Sequence, residues 1–103
     1  MDKRTRVLNA MNKREVDHVP VGFWFHFGGE EAVGDACVQA HLKYYRETDL
    51  DFVKIMCDNY FPYPLPKIEK AGDWTTLKPL TADHPFIREQ VERAKAIVDD
   101  IGK

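Results

Sequence analysis

Cysteine is scarce: two in 103 residues, too few to staple a mini-protein with disulfides. No stretch approaches the ~18 apolar residues that a membrane-crossing helix needs. The charged start, Met1-Asp2-Lys3-Arg4-Thr5-Arg6, has no apolar run behind it for a secretory signal. Neither sign of charge dominates. With 15 basic and 17 acidic residues the formal net charge is −2, which removes the electrostatic case for nucleic acid or an anionic membrane as partner. No internal repeat or low-complexity segment stands out. What is present is an ordinary globular composition, 44% hydrophobic, 12% aromatic and 31% charged. That excludes disorder and suits a single domain over residues 1–103. A cytoplasmic protein that handles a small-molecule substrate is the expectation.

Periodicity divides the chain. Thr5 can cap a short helix whose Val7, Leu8 and Met11 share one side. The run Val19-Pro20-Val21-Gly22-Phe23-Trp24-Phe25-His26-Phe27 is almost continuously apolar and aromatic, as a strand buried on both faces would be. From Gly34 to Glu47 the period turns helical, with Asp35 as N-cap and Val38, Leu42 and Tyr45 at i, i+4, i+7. Asp51-Phe52-Val53-Lys54-Ile55-Met56-Cys57 reads as a second strand, with Asp58 directly after it. The intervening crossover is long enough for a parallel, right-handed strand–helix–strand unit. The prolines of Asn59-Tyr60-Phe61-Pro62-Tyr63-Pro64-Leu65-Pro66 exclude helix and central strand, leaving an aromatic loop. A short helical turn is expected at Asp73–Leu77. A last helix starts at His84-Pro85, carries Ile87, Val91, Ala94, Val98 and Ile101, and ends at Gly102. This order is α/β, the opening portion of a (β/α)8 TIM barrel, and 103 residues are too few to close one.

The stretches Arg6-Val7-Leu8-Asn9-Ala10-Met11 and Val16-Asp17-His18-Val19-Pro20-Val21 resemble the start of the uroporphyrinogen decarboxylase family. Members begin with a short helix, a basic turn and an Asp-x-Val-Pro-Val-like lead into the first strand. Phe52-Val53-Lys54-Ile55-Met56-Cys57-Asp58 is similar to the family's second strand and its terminal aspartate. The likeness covers nearly all of this chain but only about the first third of a family member. It implies a cofactor-independent decarboxylase acting on a tetrapyrrole or other small molecule. The superfamily also holds corrinoid-dependent methyltransferases, and that alternative brings zinc and corrinoid with ligands outside this chain. A third possibility is a non-catalytic fragment that docks with another chain. The family's Arg-Gln-Ala-Gly-Arg-Tyr segment, which clamps substrate carboxylates, corresponds here to Phe25-His26-Phe27-Gly28-Gly29-Glu30, without arginine. Efficient turnover of uroporphyrinogen is therefore not expected.

Asp58 and His26 are the candidate catalytic pair, each at the end of an expected strand, where barrel enzymes place their chemistry. The resemblance gives Asp58 the role of accepting hydrogen bonds from substrate pyrrole N–H groups, against the plainer role of capping a turn with Asn59. His26 can serve as acid, base, donor or metal ligand, or simply pack among aromatics. Tyr60, Phe61, Tyr63 and Trp24 are candidate walls for a flat ligand, or core. His18, His41 and His84 are weaker candidates. Cys37 and Cys57 lack the paired spacing of a zinc site and read as buried thiols. Each expected strand would keep one unpaired edge, so a homodimer or a complementary chain is the expected route to stability.

Overall fold

The computed structural model describes residues 1–62 and 66–102; Tyr63, one of the expected site residues, lies outside them. Three helices carry the fold: α1 (Lys3–Met11), α2 (Gly34–Thr48) and α3 (Pro85–Ile101), with 3₁₀ segments at Gly29–Ala32 and Ala71–Thr76. Asp2, not Thr5, caps α1, its carboxylate accepting from the Thr5 N–H at 2.8 Å and from the Thr5 hydroxyl. The buried side of α1 is polar. Leu8 and Met11 are exposed while Arg6 is buried.

Helix α2 starts at Gly34, whose φ of 62° favours glycine. Val33 precedes it without a side-chain cap, so Asp35 does not play the expected part. Val38 and Leu42 are buried as their spacing requires. The helix stops at Asp49, in the left-handed region at φ 52°. Helix α3 follows the sequence closely: the His84 ring accepts from the Phe86 N–H at 3.1 Å, Pro85 opens the first turn and Gly102 closes the last. Its phase is rotated, however. Arg93 and Ile97 are buried while Val91 and Val98 are exposed. Val38, Leu42 and the fully buried Ile97 form the core between α2 and α3, with Val53 and Ile101 against it. This is a small core in an open molecule. The radius of gyration is 18.1 Å, against about 13 Å for a compact domain of this length.

The expected α/β fold, an opening portion of a TIM barrel, is overturned: among the described residues there is no strand and no sheet. Neither the barrel nor a family assignment read from barrel strands has support in the fold. Residues 21–27 and 51–58 do run outside the helices, side by side and in the same direction, through the contacts Val21–Asp51, Gly22–Phe52, Trp24–Lys54 and His26–Asp58. A ladder needs repeated backbone hydrogen bonds, and one such bond joins the two segments among the described residues, Asp51 N–H to Val21 C=O at 2.9 Å. Two carboxylates take over the pairing instead. Asp51 Oδ2 accepts the Val21 N–H at 2.8 Å, and Asp58 Oδ2 accepts the Phe27 N–H at 2.9 Å. Side-chain acceptors have displaced the carbonyls that would build a ladder. Nor is the first segment buried on both faces: Val19, Phe23, Trp24 and Phe25 are exposed, and Phe27 is buried. Cys37 is buried as expected, but Cys57 is exposed.

Candidate functional site

Alternation along the first segment sorts its side chains. Phe25 stacks on Tyr44 at 5.7 Å, and Phe27 meets His41 at 4.6 Å and Tyr44 at 6.1 Å. Phe25 and Phe27 thus face α2, and the cavity left there is only about 10 Å³, room for one water at most. The even-numbered positions meet the second segment instead. Phe52 covers Gly22 so closely that a Cβ there would lie 2.3 Å from its ring. Lys54 Nζ sits 5.2 Å from the Trp24 ring centroid. His26 Nδ1 lies 2.6 Å from Asp58 Oδ1.

The structure therefore brings together His26 and Asp58, the two candidate catalytic residues. The hydrogen bond from His26, with the Phe27 N–H, holds the Asp58 carboxyl below the usual carboxylate range. An ionised carboxylate only accepts, so Nδ1 carries the proton of this bond and Nε2 is left for a second partner. The Trp24 ring meets the imidazole edge-on, at 4.7 Å and 78°, and limits its rotation. The Asp58 side chain is 12% exposed and that of His26 is 63% exposed. A carboxylate anchored from below thus aims an imidazole into solvent.

Of the loop aromatics, the described Tyr60 and Phe61 make no recorded contact with His26 or Asp58. Phe61 packs against His84 at 5.1 Å and Phe86 at 5.4 Å, at the start of α3. Tyr60 is strongly exposed. His41 is one of the histidines that the sequence marks as weaker candidates. It is buried, its Nδ1–H donating to the Cys37 C=O at 2.8 Å and its Nε2 accepting the Met56 N–H at 2.9 Å. It fastens α2 to the second segment and has no nitrogen left for chemistry. Burial pushes the neighbouring Cys37 thiol up.

Sequence reasoning missed Arg6. Its guanidinium spans Asp17 with two bonds, at 2.7 and 2.9 Å, and also reaches Asp51 and the Met1 C=O. Arg6 drives Asp17 far below the usual carboxylate range, and Asp51 is lowered by the Val21 N–H and by Arg6. A charged residue on a short helix is ordinarily solvated, so nothing in the periodicity marked it. Among the described residues no three His, Cys, Asp or Glu side chains gather closely enough to hold a metal ion. No helix there is long and apolar enough to cross a membrane. Comparison with family models, with curated proteins and with solved structures finds no match to this chain.

Proposed function

We propose that the protein acts as a uroporphyrinogen-decarboxylase-like carbon–carbon lyase on a small pyrrole-type acid, with His26 as the acid–base group and Asp58 as its positioning residue. The observation that carries this reading is the 2.6 Å bond between His26 Nδ1 and an Asp58 carboxylate whose other oxygen is held by a backbone N–H. The reaction class rests on sequence likeness alone, that of Asp17-His18-Val19-Pro20-Val21 and of residues 52–58 to that family, and not on the fold.

In a decarboxylation the bond to the carboxylate carbon breaks, CO₂ leaves, and the electron pair stays on the ring-side carbon. A proton must then fill that position. His26 Nε2, when protonated, donates it, and the ring returns to neutral with its Nδ1–H still on Asp58. The carboxylate stabilises the imidazolium before transfer and fixes which nitrogen faces the substrate.

The test is CO₂ release from a panel of pyrrole carboxylates and from uroporphyrinogen, using the intact protein. Release from the smaller acids is expected, falling by roughly 10²–10⁴-fold in His26→Gln, with little from uroporphyrinogen. Release that survives unchanged in His26→Gln, or none from any substrate, overturns the reading.

A further inference from the structure

We propose that Lys54 and Trp24 form a binding site for a carboxylate borne on a planar ring. Such a group is one that the substrate keeps, so the proposal rests on the reading of His26 as the acid–base group and extends it to substrate class.

Lys54 is exposed, and its ammonium rests over the Trp24 ring at 5.2 Å. Among the described residues it has no carboxylate within ion-pair distance. The acids on its own segment are already taken up, Asp51 by Arg6 and the Val21 N–H and Asp58 by His26 and the Phe27 N–H. An ammonium held against an aromatic face has a fixed direction and has given up part of its hydration. The partner it lacks is an anion. Trp24 is also the ring that touches His26, at 4.7 Å. One indole therefore touches both an unpaired cation and the acid–base imidazole.

The chemistry of the site narrows its ligand. A single lysine neutralises one carboxylate, whereas a substrate with many requires several cations, and Phe25–Glu30 supplies no arginine or lysine. Tight binding of the leaving carboxylate would stabilise the ground state and slow its loss. Lys54 therefore holds a carboxylate that stays on the molecule, while the one that departs lies toward His26. The substrate class is a small, flat dicarboxylic acid of the pyrrole type, and its product is the matching monoacid.

The experiment titrates intact protein carrying Trp74→Phe, so that Trp24 is the one remaining tryptophan, with pyrrole-2-carboxylate and follows indole fluorescence. Saturable quenching is expected. It should weaken at least tenfold in Lys54→Met, stay within a few-fold in Lys54→Arg, remain in His26→Gln, and be absent with uncharged pyrrole. Equal affinity in Lys54→Met, or no saturable change, overturns the site. The two ideas separate cleanly. Lys54-dependent binding without CO₂ release from any substrate leaves the site standing and removes the lyase. CO₂ release with a KM unchanged by Lys54→Met removes the site and leaves the lyase.

Discussion

The two extended segments are tied at both ends by the same device, an aspartate of the second accepting an N–H of the first. Asp51 holds the Val21 N–H, and Asp58 holds the Phe27 N–H. The second partner is what differs. At the Asp51 end it is Arg6, a cation that never loses its charge, and the two side chains are 10% and 7% exposed. At the Asp58 end it is His26, 63% exposed, with one ring nitrogen uncommitted. Burial and permanent charge make the first end a clamp, because removing either partner strands a buried charge. Exposure and a spare nitrogen make the second end capable of chemistry.

The largest effect is expected from breaking the clamp. Arg6→Leu leaves Asp51 without its cation and Asp17 with the Met1 ammonium at 3.8 Å, and breaks the bond from α1 to the second extended segment. Its melting midpoint, followed by circular dichroism, should fall further than that of any variant at the other end. An Arg6→Leu protein that melts like the wild type would remove the distinction between the ends.

At the chemical end the pattern should invert. His26→Gln removes an exposed ring, so stability should change by no more than about 0.5 kcal/mol, while CO₂ release drops by roughly 10²–10⁴-fold. A large loss of stability with proportionate loss of activity would make His26 another clamp.

His41 sharpens the comparison, since it is a histidine used as a clamp. His41→Phe keeps an aromatic ring beside Phe27 but leaves the Met56 N–H without its partner. The expected cost is about 1–3 kcal/mol, read from urea denaturation, with no change in the pH profile of catalysis. Residue type does not decide the role; the number of ring nitrogens already engaged does.

These contrasts also explain what could be read from the sequence. α2 and α3 were legible because Val38 and Leu42, and His84-Pro85 with Gly102, carry periodicity and end signals that tertiary structure did not override. The meeting of His26 and Asp58 was legible because each closes an apolar run, and two parallel runs bring their ends together whether or not they form a sheet. The strands themselves were misread. Val19–Phe27 has the composition of a buried strand, but composition does not reveal that Asp51 and Asp58 would take the N–H groups a ladder needs. The barrel inferred from those strands failed with them. Arg6 was illegible for a different reason: its partners Asp17 and Asp51 are distant in sequence, and only the folded path brings three charges together.

The smallest effect expected is a difference in acid sensitivity between the ends. Asp17, Asp51 and Asp58 all have folded-state pKa values depressed below the usual carboxylate range. The unfolded chain therefore takes up protons first as pH falls. Their contribution is fully present above that range, and is lost progressively as pH drops below about 4 toward the folded values. Asp17 is driven furthest, by Arg6, which stays charged throughout. Asp17→Asn should accordingly flatten the acid limb of melting midpoint against pH more than Asp58→Asn does. The quantity compared is the slope below about pH 4, not the midpoint at neutral pH, because both substitutions lower the midpoint for reasons unrelated to protons. A steeper flattening in Asp58→Asn would place the stronger electrostatic anchor at the His26 end and reverse the assignment of clamp and site.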